Sequence, residues 1–264
     1  MIRAASPVVI LWGFALLSWA LPGRGAEATS RPVMAEDFEA ENVAIGEDLE
    51  VAPLANGVWL HVSYREIEGY GRVPANGLVV VSDGEAALLD TPWTDSQTRE
   101  LVGWLKAELD VRVAVVVATH SHADCMGGLG AAHALGARSY ALDATADFAK
   151  RDGSPVPEET FESERDIEVG SRRLELRFFG PGHTVDNTVV WIPDVQVLFA
   201  GDVLRSSGAR ALGNIREADL EGWPATLDRL EREYGRARMM VPGHGAPGGP
   251  ELIHHTRDLL AAPR

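Results

Sequence analysis

The sequence predicts a single α/β domain, and three observations support that fold class. Strand-like and helix-like segments alternate along the chain, and no linker-like stretch separates them. Residues 111–118 form a continuous apolar, β-branched run, which is typical of a strand covered on both faces. With 45% hydrophobic residues in 264 positions, the chain has enough apolar side chains for the core of one large domain.

The first 26 residues are predicted to lie outside this domain, as a secretory signal peptide. Arg3 precedes an apolar run over residues 8–21, and small residues follow it. The run is short for a membrane span, which needs about 20 residues. We therefore expect cleavage between about residues 20 and 27, a single domain over 27–264, and a periplasmic protein that does not stay attached to the membrane.

β-Structure is predicted at the start of the domain. Strand-like segments cover residues 57–64, 77–83 and 86–90, and the turn residues 82–84 join the last two as a hairpin. Between the first two segments, residues 65–76 contain two glycines and a proline. We expect this stretch to form a mobile loop or flap.

A helix is predicted over residues 94–109. Thr94 and Gln97 have capping-box spacing at its start, and apolar side chains recur on one of its faces. The strand 111–118 and a short helix over 128–136 follow. The remaining predicted elements are strands at 137–142, 175–180, 187–193, 195–202 and 237–243, a helix at 223–234 and a C-terminal helix from about residue 250.

The formal net charge of −15 restricts the partners. It argues against nucleic acid and anionic membranes, because the basic surface that neutralises phosphate is missing. We interpret the acidity as that of a solvated surface. The expected partner is a small-molecule substrate, and the expected oligomeric state is a monomer.

Metal-binding residue types are concentrated in THSHADCMGG, residues 119–128. His120, His122 and Asp124 are spaced by two directly after strand 111–118, so an extended backbone would point them to the same side. Two imidazoles placed in this way can hold one metal ion, and the carboxylate two residues further on can reach a neighbouring ion.

Three further strand ends carry the same residue types. His183 and His244 each follow a strand after a glycine-containing turn, and Asp202 ends the apolar strand 195–202. This repetition predicts a metal centre at one edge of the fold. Imidazole, carboxylate and thiolate donors together favour zinc, ahead of iron and manganese.

Cys125 is the only cysteine of the chain, and it lies within the histidine motif. In an exported protein a lone thiol has no disulfide partner in its own chain. The sequence leaves three roles for it: metal ligand, nucleophile or buried bystander. A thiolate beside metal ligands would be captured by metal before it could act as a nucleophile, so the nucleophile is the least favoured role. Buried cysteines without a function are common, and the ligand and bystander roles both stay open at this point.

These motifs resemble those of a known family. HSHADC, PGHT at 181–184, GD at 201–202 and PGHG at 242–245 are similar to the metallo-β-lactamase fold, over roughly residues 45–262. That fold is an αββα four-layer sandwich with metals at one edge. Longer segments resemble the broad-spectrum, di-zinc subclass of the class B enzymes; these are residues 76–98, 181–193 and 199–224.

The resemblance implies a zinc-dependent hydrolase that gives antibiotic resistance. Its substrates would be penicillins, cephalosporins and carbapenems, and a metal-bound hydroxide would attack the β-lactam amide bond. Two zinc ions are expected. The alternative is another hydrolase of the same fold, a lactonase or a thioesterase, which Asp202 favours.

The resemblance also assigns the metal ligands. His120, His122 and His183 would hold the first zinc ion. Asp124 and His244 would hold the second ion together with one more protein ligand, and Asp124 would also orient the attacking hydroxide.

The third ligand of the second ion is where this sequence departs from the subclass. Asp202 occupies the position at which the subclass has its ligand cysteine, and Cys125 follows the motif aspartate, where the subclass has no ligand. We expect Cys125 to complete the second site. Asp202 would then bridge the ions, bind weakly or support a ligand, and the choice between the two residues stays open.

Substrate contacts are implied in the same way. Arg205 lies where the subclass has a lysine that binds the substrate carboxylate, and a guanidinium can bind that group with two hydrogen bonds. Asn214 matches an asparagine near the lactam carbonyl. Residues 65–76 would close over the bound drug, and Asp90 would support the metal ligands from behind.

Overall fold

The computed structural model describes residues 42–263. The predicted signal peptide, its cleavage position and the start of the predicted domain lie outside the described residues.

Eight strands form the first sheet, in chain order from one edge to the other. The first five strands pair antiparallel as a meander, and the last three continue the sheet in parallel. The strands are β1 (Val43–Gly46), β2 (Leu49–Ala55), β3 (Val58–Ile67), β4 (Gly71–Ser82), β5 (Glu85–Leu89), β6 (Arg112–Val117), β7 (Arg138–Leu142) and β8 (Glu159–Phe161).

Five strands form the second sheet, and they follow the reverse order of the chain. All pair antiparallel except the last two, which are parallel. The strands are β9 (Glu164–Val169), β10 (Arg172–Arg177), β11 (Val189–Ile192), β12 (Val197–Gly201) and β13 (Met239–Pro242).

Helices cover the outer face of each sheet. As predicted, the Thr94 side chain caps the first helix, with its Oγ1 accepting from the Gln97 N–H at 3.2 Å. The helices are α1 (Asp95–Leu109), α2 (Ala123–Met126), α3 (Leu129–Ala134), α4 (Asp143–Asp152), α5 (Trp223–Tyr234) and α6 (Glu251–Ala261).

Three hydrophobic clusters separate the four layers. One lies between the two sheets and contains side chains from both. The second packs α1, α2 and α3 against the first sheet, and the third packs α5 and α6 against the second sheet. This layering confirms the predicted αββα sandwich.

The predicted mobile loop over residues 65–76 is wrong for most of its length. β3 and β4 continue through it as a hairpin, and only residues 68–70 form the turn. Arg72 stabilises the hairpin, because its guanidinium lies 3.7 Å from the centre of the Tyr64 ring and 3.0 Å from an Asp48 carboxylate oxygen.

Several elements had no counterpart among the predicted ones. β1, β2, β8, β9 and α4 are short, polar or without a clear period, so the sequence pattern does not reveal them. Within residues 42–263, no helix is long and apolar enough to cross a membrane.

Candidate metal centre

The predicted ligands meet at one edge of the sandwich. β6 leads into His120 and His122, and the segment after β10 carries His183. β12 and β13 end directly before Asp202 and just before His244, and because these two strands are parallel neighbours their ends lie side by side. Residues more than 100 positions apart in the chain are thereby brought to one place.

The first ligand group consists of His120, His122 and His183, and one nitrogen of each ring lies within 4.8 Å of the other two. Nδ1 of His122 is 3.0 Å from Nε2 of His120 and 3.3 Å from Nε2 of His183. A tetrahedral zinc ion with bonds of about 2.0–2.1 Å to nitrogen holds its ligands about 3.3 Å apart. The three rings therefore fit a zinc ion with little adjustment.

Burial keeps two of these rings uncharged. It lowers the pKa of His120, and the charge of the neighbouring His122 adds to that effect. Burial also lowers the pKa of His183, to about 3. A neutral imidazole has a free lone pair, so neither ring has to lose a proton at neutral pH before it binds a metal.

The nitrogens that face away from this group have partners of their own. His122 Nε2 lies 2.6 Å from a carboxylate oxygen of Glu217, and His120 Nδ1 lies 3.2 Å from the Cys125 sulfur. Partners of this kind fix the orientation of a ligand ring and raise its basicity.

Asp186 joins the two chain segments that carry the histidines. Its Oδ2 accepts from the backbone N–H of Ser121 and from the Thr145 hydroxyl, each at 2.9 Å. Ser121 lies between His120 and His122, and Asp186 follows His183 by three residues. The carboxylate therefore fixes the relative positions of the two segments that carry the three ligands of the first group.

The second ligand group consists of Asp124, Asp202 and His244. Nε2 of His244 lies 3.1 Å from Asp124 Oδ2 and 3.5 Å from Asp202 Oδ2. Nδ1 of His244 donates to the backbone carbonyl of Pro74 at 2.5 Å, which directs Nε2 towards the carboxylates. Two carboxylates and an imidazole form a donor set that zinc accepts.

Charge distinguishes this group from the first. Burial opposes ionisation, but the nearby His244, Arg205 and His183 hold the pKa of Asp202 well below its usual range. Burial likewise opposes protonation of His244, yet Asp202 and Asp124 raise its pKa well above the ordinary value. In the metal-free protein, the second group is thus a cluster of opposite charges.

Asp202 occupies a central position between the two groups. Its Oδ2 lies 3.2 Å from His183 Nε2 and 3.2 Å from Arg205 Nη1, in addition to its contact with His244. Gly243 makes room for it, since a Cβ at that position would collide with Asp202 Oδ1. The carboxylate can reach either ligand group from this place.

Cys125 lies on the other side of His120. The backbone is extended only as far as His122, which precedes α2, and Asp124 and Cys125 both belong to that short helix. The sulfur is grouped with His120 and Asp124, whereas Asp202 is grouped with Asp124 and His244. The ligand role of Cys125 stays a prediction.

A hydrogen-bonded network surrounds the thiol. Cys125 is 4% exposed, and the Thr119 hydroxyl lies 3.5 Å from its sulfur. The same hydroxyl and the Thr119 N–H both donate to Asp90 at 2.7 Å. Burial raises the pKa of Asp90 to about 8 and that of the Cys125 thiol well above its usual value.

A cavity of about 680 Å³ opens above the two ligand groups. Ile67, Tyr70 and Val73 of the β3–β4 hairpin form an apolar wall on one side, and Trp93 lies next to them. The segment after β12 forms the opposite wall. A space of this size, apolar on one side and polar at its floor, suits a small ligand.

The predicted substrate contacts both line this cavity. Arg205 is buried, with 6% of its surface exposed, and it pairs with Asp202. Asn214 is exposed, and its Oδ1 accepts from the Arg216 N–H at 3.2 Å. Arg216 is exposed too and adds a second guanidinium to the wall.

Sequence reasoning missed the residues that hold the ligands in place. Glu217 and Asp186 each contact the histidine segment from a distant part of the chain, and no local pattern reveals such a pairing. Thr119 was open to prediction, because it directly precedes His120 at the end of a buried strand.

The chain is similar in sequence and structure to known proteins. Residues 70–244 match the metallo-beta-lactamase superfamily. The metallo-beta-lactamase type 2 of Bacteroides fragilis is 42% identical over 220 residues, which are 83% of this chain and 88% of that protein. A solved metallo-beta-lactamase from Pontibacter korlensis has a TM-score of 0.78 at 38% identity and covers 81% of this chain and 100% of its own. The metallo-beta-lactamase FIM-1 from Pseudomonas aeruginosa, solved in a mono-zinc form, has a TM-score of 0.75 at 34% identity and covers 83% and 98%.

Proposed function

Because the chain belongs to the metallo-β-lactamase superfamily, we propose that it is a zinc-dependent β-lactamase, which hydrolyses the amide bond of the β-lactam ring. One observation carries the proposal: two ligand groups lie side by side beneath a single cavity and share the carboxylate of Asp202. The 42% identity to a metallo-beta-lactamase type 2 over most of both chains supports the choice of substrate.

Zinc is the ion that the donor set favours, since three imidazoles and two carboxylates are its usual protein ligands. When bound, zinc lowers the pKa of a coordinated water to about 7 and polarises a carbonyl oxygen. His120, His122 and His183 would hold one ion, and Asp124 and His244 a second.

For the second ion we propose Asp202 as the third protein ligand. It is the remaining member of the group that contains Asp124 and His244, and its Oδ2 lies 3.5 Å from His244 Nε2. Cys125 would then act behind His120, orienting its ring through the 3.2 Å contact between sulfur and Nδ1. The ligand role predicted for Cys125 remains the competing assignment.

Asp124 would serve the reaction as the group that orients and deprotonates the attacking water. Its carboxylate lines the cavity. Burial opposes its ionisation, but His244 holds its pKa below the usual range. An ionised carboxylate can accept a proton and hold a water molecule by a hydrogen bond.

Two guanidiniums line the cavity where the substrate carboxylate would bind. Arg205 has the position implied by the family resemblance, but in the metal-free protein its charge is already paired with Asp202. Arg216 is exposed on the same wall. Asn214 would contact the lactam carbonyl, and the apolar hairpin residues would pack on the hydrophobic part of the drug.

The decisive experiment is hydrolysis of a penicillin, a cephalosporin and a carbapenem by the purified mature protein. We expect turnover of all three, its loss on treatment with a chelator, and its return on addition of zinc. Turnover that survives complete zinc removal would contradict the proposal. Hydrolysis of a lactone or a thioester without any lactam turnover would instead indicate the lactonase or thioesterase alternative.

Cobalt substitution distinguishes Asp202 from Cys125 as the ligand. A thiolate bound to Co²⁺ gives an intense near-ultraviolet charge-transfer band, which carboxylate and imidazole ligands lack. We expect no such band with two equivalents of Co²⁺, and the same spectrum in Cys125→Ser. A strong band that disappears in Cys125→Ser would make the cysteine the ligand.

We also propose that the protein is exported to the periplasm and acts as a monomer. The basic start, apolar run and small residues of the first 26 positions support export. N-terminal sequencing of the protein from a periplasmic extract would check it, and we expect a mature N-terminus between residues 20 and 27. Recovery of the protein from the membrane fraction with its N-terminus still at residue 1 would contradict the proposed export.

A further inference from the structure

Arg205 is a buried cation at the metal centre. Only 6% of its surface is exposed, and its guanidinium lies 5.8 Å from the centre of the Trp223 ring. Nη1 donates to Asp202 Oδ2 at 3.2 Å, Nη2 donates to His183 Nδ1 at 2.9 Å, and the buried Nε has no partner among the described residues. A buried arginine needs a carboxylate to offset its charge, and Asp202 supplies it.

The same two side chains are needed by zinc. If His183 binds metal through Nε2, its proton must sit on Nδ1, and a guanidinium that donates to Nδ1 opposes that tautomer. If Asp202 binds metal, a dication must lie close to the oxygen that Arg205 already holds. Both contacts of Arg205 are therefore made with atoms whose chemistry zinc would change.

We propose that Arg205 is a stand-in cation for the second metal ion: it neutralises Asp202 in the metal-free protein and competes with zinc for that carboxylate. The inference rests on the proposed metal centre but not on the proposed substrate. Guanidinium stays charged at any pH the protein tolerates, and charges within a buried site are weakly screened by salt. The competition therefore persists under all working conditions.

Because of this competition, the two zinc ions should bind with different affinities. Arg205 contacts the three-histidine group through its hydrogen bond to His183 Nδ1, which lies on the ring side away from the other two histidines' nitrogens. The Asp124, Asp202 and His244 group would have to accept an ion next to a fixed positive charge. We expect the first zinc to bind at least about 100-fold more tightly than the second.

Zinc titration of the metal-free protein tests the proposal, with Kd values from competition with a chromophoric chelator and ion counts from native mass spectrometry. Arg205→Met removes the charge and keeps most of the side-chain volume. Arg205→Lys keeps the charge but loses the planar fork. Arg210→Met is the matched control, because Arg210 is exposed and lies on the same segment.

In Arg205→Met, we expect the Kd of the second zinc ion to be at least tenfold lower, and the Kd of the first ion to change less. In Arg205→Lys, the Kd of the second ion should lie between those of Arg205→Met and the unmodified protein. Arg210→Met should bind like the unmodified protein. A second step that is unchanged or weaker in Arg205→Met would overturn the proposal and make Arg205 a residue that orients Asp202 for metal. Equal affinities for both ions in the unmodified protein would also overturn it.

Loss of the ion pair could unfold metal-free Arg205→Met, since Asp202 would be left buried without its cation. Arg205→Gln answers the same question, because it is uncharged yet still donates hydrogen bonds. Failure of any protein to bind zinc would overturn the metal centre itself, and the inference with it. Two well-separated zinc steps without lactam turnover would leave the inference standing and contradict only the substrate.

Discussion

The two ligand groups lie beneath one cavity but reach electrical neutrality in different ways. The first consists of imidazoles, two of which burial keeps uncharged. The second consists of two carboxylates balanced by a protonated histidine and a guanidinium. In the first group, His120 and His183 are therefore neutral before metal binds, although His183 Nδ1 accepts from Arg205. The second group would have to exchange its internal cations for the ion.

This difference supports the proposal that the site binds two zinc ions with unequal affinity. Burying a neutral ring costs less than burying a charge, so His120 and His183 can remain buried without counter-charges. Buried carboxylates destabilise the folded protein unless positive charges lie beside them. On the proposal made above, Arg205, which neutralises Asp202 in the metal-free protein, is also the group that competes with the second ion.

Removal of one ligand from each group gives the largest expected effect. His183→Ala should lower kcat/KM by about a thousandfold or more, since it takes away a ligand of the first ion. Asp202→Asn should lower it by about ten- to a hundredfold, because Asp124 and His244 remain. Asp147→Asn, an exposed carboxylate on α4, serves as control. Equal losses of kcat/KM in His183→Ala and Asp202→Asn would contradict the difference proposed between the two ligand groups.

His61 is a buried histidine outside the metal centre, so it shows how burial alone changes the pKa of an imidazole in this fold. Burial lowers the pKa of His61 to about 4, from 6.5 in the unfolded chain. Between these pH values, the unfolded state therefore binds a proton at His61 and the folded state does not. The free energy of unfolding falls as pH drops from about 6.5 to about 4, by up to about 3 kcal/mol.

His61→Gln should remove that part of the acid sensitivity. Urea unfolding at pH 7.5 and pH 4.5 measures it, with the exposed His254→Gln as control. The slope with pH should be shallower in His61→Gln and unchanged in His254→Gln. A slope that is the same in all three proteins would mean that burial alone does not hold an imidazole neutral in this fold.

Glu217 supports only the first group, so its loss should affect one binding step. Glu217→Gln removes the charge that faces His122 Nε2 at 2.6 Å. Loss of such a partner typically weakens metal binding by about 10- to 100-fold. Chelator competition should show that weakening in the first zinc step, with Glu221→Gln on the same segment as control. Weakening of the second step alone would contradict the assignment of His122.

Cys125 has the smallest expected effect on turnover. If the thiol only orients His120, Cys125→Ser keeps a hydrogen-bonding group there and should lower kcat/KM by less than about tenfold. Steady-state kinetics at saturating zinc measures it, with Cys125→Ala as the variant that removes the hydrogen bond. A hundredfold loss together with loss of the second zinc would restore the ligand role.

The sequence pattern predicted an α/β domain and the place of the site for identifiable reasons, whereas the four layers were implied by the family resemblance. His120, His122, His183 and His244 each follow a strand, and the strand ends of the two sheets meet at one edge of the sandwich. The helix at 94–109 was marked by its cap at Thr94. These features depend on neighbours in the chain, which a pattern can show.

Features that depend on distant contacts could not be predicted. The backbone after His122 turns into α2, and this short helix places the Cys125 sulfur 3.2 Å from His120 Nδ1. Arg205 was expected to bind the substrate carboxylate, and it does line the cavity, but its ion pair with Asp202 was not foreseen because it depends on the fold. Residues 65–76 were expected to be a loop because of their glycines, but cross-strand contacts of Arg72 keep them paired.

The carboxylate that supports His122 lies on the segment that forms one wall of the cavity. Glu217 follows Asn214 and Arg216, which line that cavity, by only a few residues. In the zinc-dependent β-lactamase proposed above, a substitution that reshapes this segment for a bulkier antibiotic would also alter zinc binding through Glu217. The benefit of such a substitution would then depend on the zinc supply, being large when zinc is plentiful and lost when zinc is scarce.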